Sequence, residues 1–181
     1  MKYYSPIYLE NIKTIQEKVI DVFPKESLSE KDNLSYLPNN LDIFMNIPEL
    51  KKELDNLNWT NYVHSFGFYT IQKSYGTPLH IDSGTCQYSL NIPILNCKNT
   101  FVNFYKTNTE PVKSSYMAFG RLIDYYKYNI TDCVLQDKLE MTSPHVIKVK
   151  EVHNVTNINS LTRITLLIRL KKEINLDHLF Q

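Results

Sequence analysis

Two histidines, one aspartate and one arginine carry the chemistry that this sequence suggests. His80 and Asp82 are two residues apart, His153 lies far downstream, and Arg163 follows it by ten residues. Two imidazoles and one carboxylate form a ligand set that holds a divalent metal ion and leaves coordination positions open for small molecules. Because a guanidinium grips a carboxylate with two parallel hydrogen bonds, Arg163 is a candidate for holding an acidic ligand beside that metal.

The His-x-Asp pair is a weak signal by itself. Residues two apart on a strand project from the same face, about 6.5–7 Å apart at Cα, so one metal ion can bind both side chains of His80-Ile81-Asp82. However, the chain has five histidines, and chance often supplies such a pair, which then serves as a surface pair or a turn element. The pair therefore gains its weight from the residues around it.

Arginine is rare in this chain, and its placement is informative. Of the 20 basic side chains 17 are lysine, and the three arginines are Arg121, Arg163 and Arg169. Two of them fall in one predicted strand, where lysine would be the default cation. Arginine is favoured over lysine where a planar carboxylate must be held bidentately and the charge must survive partial burial. The alternative is an ordinary ion pair with a nearby carboxylate.

The strands predicted around these residues each have one apolar and one polar face. In the strand near 86–94 the polar side chains are Gln87, Ser89 and Asn91. In the strand near 162–170 they are Arg163, Thr165 and Arg169. Such strands fit a sheet that packs its apolar face on helices and lines a polar cavity with the other face. Plain exposure of the polar face to solvent carries equal weight from the pattern alone.

His145 competes with His153 for the third metal position. Both lie in one alternating stretch, which we predict as a strand near 145–155. His153 is favoured because a short turn at 157–160 and the next strand would bring it and Arg163 to one cavity. His145 stays the alternative.

Helices are predicted at 9–23 and after Ile47, where Pro48 would take the first helical position. Residues 28–46 and 106–143 are predicted to be the irregular parts of the chain. Short strands are predicted near 65–73, 78–82, 86–94, 99–105, 114–118, 145–155 and 162–170, a spacing that indicates a sandwich or barrel. We therefore predict one domain over 1–181, with a helical region at 1–60 that packs on a β core at 61–171, and a C-terminal tail at 172–181.

Composition supports a globular protein with small partners. The chain has 181 residues, 43% of them hydrophobic, and a formal net charge of +1, which fits a single domain and does not favour a nucleic-acid or anionic-membrane partner. Three cysteines without a Cys-x-x-Cys pair predict neither a disulfide framework nor structural zinc.

The N-terminus has no apolar signal-peptide segment, and no apolar run approaches a membrane span, so we expect a cytoplasmic location.

Three segments resemble the motif set of the iron(II)- and 2-oxoglutarate-dependent oxygenases: His80-Ile81-Asp82, His153-Asn154-Val155-Thr156-Asn157 and Arg163-Ile164-Thr165. That family has a His-x-Asp/Glu pair, a distal His, and an Arg or Lys about ten residues later, often as Arg-x-Ser. The run 89–94 and the ending 163–170 are similar to small uncharacterised members, with some similarity to the aspartyl/asparaginyl β-hydroxylase and prolyl hydroxylase branches. The resemblance covers roughly 65–170 and implies a mainly β fold, a double-stranded β-helix of jelly-roll or cupin-like type.

The resemblance also implies a function and a set of site residues. The implied activity is hydroxylation of a C–H bond in a peptide side chain or small molecule, using O2 and releasing succinate and CO2. The implied ligands of Fe(II) are His80, Asp82 and His153. The implied contacts of the co-substrate 2-oxoglutarate are Arg163, Thr165, Tyr69, Ser89 and Asn91. Two alternatives stay open: a non-catalytic cupin-like binding module, and a metal-dependent oxygenase that uses no 2-oxoglutarate.

Overall fold

Short runs of β-branched and aromatic residues, separated by turns, build most of this protein. The computed structural model describes residues 2–22, 34–36, 40–82, 84–118 and 121–181. Within these residues there are three α-helices: α1 (Ile12–Val22), α2 (Asn40–Asn46) and α3 (Pro48–Asn56). Pro48 opens α3, as predicted, because its fixed φ suits the first turn and that position needs no amide donor.

Thirteen strands are formed by the described residues. The first seven are β1 (Tyr4–Pro6), β2 (Leu34–Tyr36), β3 (Val63–Ile71), β4 (Tyr75–Gly76), β5 (His80–Ile81), β6 (Tyr88–Leu95) and β7 (Thr100–Thr107). The remaining six are β8 (Val112–Ala118), β9 (Arg121–Lys127), β10 (Cys133–Glu140), β11 (His145–Lys148), β12 (His153–Asn157) and β13 (Arg163–Leu170).

The strands form two antiparallel sheets. One has six strands in the order β1-β11-β6-β13-β3-β2, and the other follows the path β10-β7-β12-β5-β9-β8, with β4 paired to β12 beside it. Neighbours in space are mostly distant in sequence, since the chain crosses repeatedly between the two sheets. Strand β13 lies inside the six-stranded sheet between β3 and β6.

The helices pack on the outer face of the six-stranded sheet. Ile164, Leu166, Ile168 and Leu170 of β13 share one buried cluster with residues of α1 and α3. The same cluster contains Tyr88, Leu90, Ile92 and Ile94 of β6. Because side chains alternate along a strand, the residues between them point to the opposite sheet.

A second buried cluster fills part of the space between the two sheets. It joins Ile71 and Ile147 of the six-stranded sheet to strands of the other sheet, through Val102, Phe104, Leu139 and Val155. The polar side chains of β6 and β13 face this inter-sheet space, and Ser89, Asn91, Arg163 and Thr165 are all buried. Solvent exposure, the alternative reading of the polar faces, is therefore wrong for these four residues.

The predicted secondary structure is wrong in three segments. The predicted strand at 145–155 is two strands, because β11 belongs to the six-stranded sheet and β12 to the other, with a turn between them. Residues 106–143, predicted as irregular apart from a strand near 114–118, contain β9 and β10 as well as β8, which confirms that strand. Their pattern was hard to read because part of their apolar surface is exposed, as at Val134 and Leu135. The segment 28–46, also predicted as irregular, contains α2 and β2; residues 28–33 and 37–39 lie outside the described residues.

The C-terminal segment at 172–181 packs against the body of the protein. Ile174, Leu176 and Phe180 are buried in the same cluster as the helices and the six-stranded sheet. Two facing antiparallel sheets, with strands that alternate between them, make this a mainly β protein with a double-stranded β-helix core of jelly-roll type. The fold class predicted from the sequence is confirmed.

The packing of helix α2 on strand β3 gives a test of this architecture. Phe66 is fully buried, and its ring meets that of Phe44 edge-on at 5.3 Å between centroids. Phe66→Ala should lower the free energy of unfolding by about 3–5 kcal/mol, measured by urea denaturation, because it removes a large buried ring and leaves a cavity. The exposed Val134 offers a control, since Val134→Ala should change stability by less than about 0.5 kcal/mol. Equal effects of the two substitutions would contradict this packing.

Candidate metal centre

The structure brings His80, Asp82 and His153 together. His80 of β5 and His153 of β12 are direct partners in the antiparallel pairing of these strands. Asp82 follows β5 immediately, and its carboxylate lies beside the two imidazoles. One potential ligand atom from each residue lies within 4.8 Å of the other two.

Both histidines present the same nitrogen to this cluster. Nδ1 of His80 lies 2.8 Å from the carbonyl oxygen of Pro78, and Nδ1 of His153 lies 2.8 Å from that of Glu151. A carbonyl only accepts hydrogen bonds, so each Nδ1 carries the proton and each Nε2 keeps its lone pair. Backbone contacts of this kind fix the tautomer and ring orientation of metal-binding histidines.

The Asp82 carboxylate is held between a histidine and an arginine. Its Oδ1 lies 3.3 Å from Nε2 of His80. Two ligand atoms at right angles, each about 2.1 Å from one ion, would be about 3 Å apart, so this spacing suits a shared metal. Oδ2 is buried, has no hydrogen-bond partner among the described residues and forms an ion pair with Arg169.

The charges around Asp82 keep it ionised. Burial alone would raise the pKa of Asp82, but Arg169, His80 and His153 outweigh this effect and hold the pKa well below its usual range. Burial lowers the pKa of His153 to about 4, with a further contribution from His80. At neutral pH the cluster therefore offers a carboxylate and a neutral imidazole, the protonation states that metal binding requires.

The main chain of Asp82 is fixed by the turn between β11 and β12. Its amide donates to the carbonyl of Val149 at 3.1 Å. Its carbonyl accepts from Nζ of Lys150 at 2.7 Å, and the same ammonium reaches the carbonyl of Gly84 at 2.8 Å. The turn between β11 and β12, which leads into His153, therefore also positions the main chain of Asp82.

These residues fit a divalent metal ion. Two neutral nitrogen donors and one carboxylate are grouped on one side, which is the donor set of sites that bind Fe(II) and similar ions. His145 lies elsewhere: its Nδ1 contacts the carbonyl of Ser143 at 2.8 Å, and its ring meets Tyr4. The structure thus groups His153, and not His145, with His80 and Asp82.

Arg163 is buried in the inter-sheet space, and no carboxylate of the described residues forms an ion pair with it. It is 1% exposed, and its Nε and Nη1 have no hydrogen-bond partner among the described residues. Burial lowers the pKa of Arg163, an effect partly offset by the nearby Cys97 and Tyr69. A buried cation with unused donors is costly, and it favours a ligand that carries negative charge.

The other predicted co-substrate residues divide between two places. Thr165 is fully buried and pairs with Tyr69 in the register of β13 and β3, close to Arg163. Ser89 donates to Oδ1 of Asn91 at 2.6 Å. Ser89 is the register partner of Arg169, so this pair lies nearer the metal end than Arg163 does.

Sequence reasoning missed three residues of this site. Arg169 was noticed for its rarity but not as the partner of Asp82. An alternating strand does place it on the same face as Arg163, six residues away. Lys150 and Cys97 carried no signal, because their contacts depend on how turns fold back from other strands.

Comparisons with known proteins support the fold. AviO1 from Streptomyces viridochromogenes Tue57 superposes with a TM-score of 0.52 at 16% identity, and the match covers 95% of this chain and 90% of that chain. A Pseudomonas putida prolyl-4-hydroxylase gives a TM-score of 0.47 at 9% identity, covering 97% and 88%. Bacillus subtilis oxalate decarboxylase gives 0.38 at 9% identity, covering 87% and 30%. At these identities the likeness concerns the fold alone. Of the three, the superposition on AviO1 is the one that supports the fold.

Sequence comparisons give no family assignment. No family model matches the chain, and no curated protein matches it either. None of the helices in the described part of the chain has the length and apolar character that a membrane span requires.

Metal binding separates the two histidine assignments. His153→Ala should weaken Mn(II) binding by more than about 100-fold, measured by isothermal titration, because one of three protein ligands is lost and even supporting contacts cost 10–100-fold. His145→Ala is the matched control, since it removes a buried histidine outside the cluster, and it should retain Mn(II) binding. Loss of binding in His145→Ala alone would show that the distal ligand is misassigned.

The Asp82–Arg169 ion pair gives a prediction for the metal-free protein. Each single variant, Asp82→Asn or Arg169→Ala, leaves the other member without its charge partner. Because Arg169 is 28% exposed, we expect a coupling of about 1–3 kcal/mol, between the values for exposed and buried pairs. A double-mutant cycle of unfolding free energies measures it. Additivity within about 0.5 kcal/mol would mean that the pair contributes nothing.

Proposed function

We propose that this protein is an Fe(II)- and 2-oxoglutarate-dependent oxygenase that hydroxylates a C–H bond of a peptide side chain or small molecule. The observation that carries this proposal is the buried guanidinium of Arg163, which has unused donors and shares the inter-sheet space with the His80, Asp82 and His153 cluster. One ligand would therefore meet a metal at one end and a cation at the other.

The need for an acidic ligand comes from electrostatics. Removing a guanidinium from water costs several kcal/mol unless an opposite charge and hydrogen bonds replace the lost hydration. Asp82, the carboxylate in the cluster, is already paired with Arg169. Among the described residues no ion pair forms at Arg163, so a ligand carboxylate is the group that best completes it.

The spacing along β13 supports a ligand with two functional ends. Arg169, at the metal end, and Arg163 project from the same face of β13, six residues apart. A ligand that binds both the metal and Arg163 must therefore extend along this face of the strand. A five-carbon keto dicarboxylate offers metal-binding oxygens at one end and a free carboxylate at the other, as such a site requires.

The chain's own residues bind, orient and shield. His80, Asp82 and His153 would hold the iron from one side and leave the opposite side open. Arg163, with Thr165, would fix the distal carboxylate and thereby the orientation of the co-substrate. Phe104, fully buried with its ring centroid 6.2 Å from that of His153, helps to exclude water. When bound, iron and 2-oxoglutarate supply the oxidising chemistry.

The direct test is reconstitution with Fe(II) without oxygen, followed by 2-oxoglutarate and air. We expect binding of 2-oxoglutarate before oxygen is admitted, and succinate formation afterwards. Succinate should disappear when Fe(II) is omitted or chelated. A wild-type protein that neither binds 2-oxoglutarate nor forms succinate would refute the proposal.

Removal of the buried cation should affect the co-substrate specifically. Arg163→Met keeps a long side chain but removes the charge. It should weaken 2-oxoglutarate binding by about 100-fold or more, in line with the 3–5 kcal/mol that breaking a buried charge pair costs. Lys172→Met removes an exposed cation and should leave binding unchanged. Equal affinities in wild type and Arg163→Met would remove Arg163 from the site.

A further inference from the structure

Cys97 contacts the two residues that follow Arg163 in the sequence, Ile164 and Thr165. It follows strand β6 and is 8% exposed. Its Sγ lies 3.2 Å from the carbonyl oxygen of Ile164, 3.3 Å from that of Leu95 and 3.9 Å from Oγ1 of Thr165. The thiol therefore faces the part of β13 that carries the unpaired cation.

The thiol lies near the guanidinium, because Cys97 contributes to the pKa of Arg163 and contacts the two residues that follow Arg163 in β13. Nε and Nη1 of Arg163 have no hydrogen-bond partner among the described residues. A carboxylate that completed this guanidinium would bind within reach of Cys97 Sγ. An electrophilic carbon attached to that carboxylate would then be held beside a nucleophile.

We propose that Cys97 is a modification site selected by Arg163: electrophiles that carry a carboxylate are drawn to the buried guanidinium and alkylate Cys97. If the proposed function is correct, the added group occupies the place of the 2-oxoglutarate carboxylate, and modification blocks co-substrate binding. This second statement rests on the proposed function, whereas the first does not.

Iodoacetate is a suitable probe of this chemistry. Its carboxylate would bind Arg163, and its CH2 carbon would meet the thiolate of Cys97. A sulfur–carbon bond forms as the carbon–iodine bond breaks, iodide leaves with the bonding pair, and the thiol proton goes to solvent. Iodoacetamide undergoes the same displacement without the negative charge, so the ratio of the two rates isolates the effect of the cation.

The chain contains its own reference thiols. Cys86 is buried near Arg169, but that arginine is already paired with Asp82. Burial also raises the pKa of Cys86, which opposes its reaction. Cys133 is partly exposed. Neither has a buried, unpaired guanidinium beside it within the part of the chain that the structure describes.

The experiment treats the wild-type protein with each reagent in parallel and measures modification of each cysteine by peptide mass spectrometry. We expect the iodoacetate-to-iodoacetamide ratio at Cys97 to exceed the ratio at Cys86 and Cys133 by about tenfold, the effect of one charge-assisted hydrogen bond. Arg163→Met should abolish this preference, and Arg163→Lys should retain part of it. Equal ratios at the three cysteines, no modification of Cys97, or a preference that survives Arg163→Met would overturn the inference.

Two further measurements keep the test independent of folding in the variants and of the proposed function. In wild type, 2-oxoglutarate with Mn(II) should protect Cys97 from iodoacetate. Treatment with iodoacetate should lower the affinity of wild type for 2-oxoglutarate. In Cys97→Ser the affinity should be the same before and after the treatment. A charge preference at Cys97 without any 2-oxoglutarate binding would refute the proposed function and leave the modification site standing. Binding of 2-oxoglutarate without the charge preference would refute the modification site and leave the proposed function standing.

Discussion

The alternation of side chains along strand β13 is the constraint on which the core and the candidate site both depend. Its even-numbered residues, including Leu166 and Ile168, are buried against the helices. Its odd-numbered residues include Arg163 and Arg169, which face the other sheet. A shift of register by one residue would exchange these faces and place both cations in the apolar core. The hydrophobic packing therefore fixes where the two guanidiniums lie.

The two arginines of β13 have opposite electrostatic situations. Arg169 is paired with Asp82, and this pair holds the carboxylate ionised beside two histidines. Arg163 is more deeply buried, and two of its donor nitrogens have no partner within the part of the chain that the structure describes. A buried guanidinium with unused donors is unfavourable by itself, and a binding site is the usual place where a fold retains such a cost. This difference is the reason that Arg163, and not Arg169, is proposed to bind the ligand.

The sequence was most informative where the signal lay within single strands. The polar faces of β6 and β13, the helix at Pro48 and the β fold were all readable, because alternation and proline geometry are local properties. The sequence did not predict that the chain passes from one sheet to the other between His145 and His153. Strands β11 and β12 have the same alternation of apolar and polar residues, and they differ only in the strands with which they pair. Contacts of Lys150 and Cys97 depend on turns that return from distant strands, and no local pattern encodes them.

A crystal structure of the protein grown with Mn(II) and 2-oxoglutarate tests the central claim most directly. Anomalous scattering would locate the manganese independently of the ligand. We predict manganese bound by His80, Asp82 and His153, with the distal carboxylate of 2-oxoglutarate hydrogen-bonded to Arg163. Manganese bound elsewhere, or an Arg163 guanidinium paired with a carboxylate of the protein itself, would contradict the account.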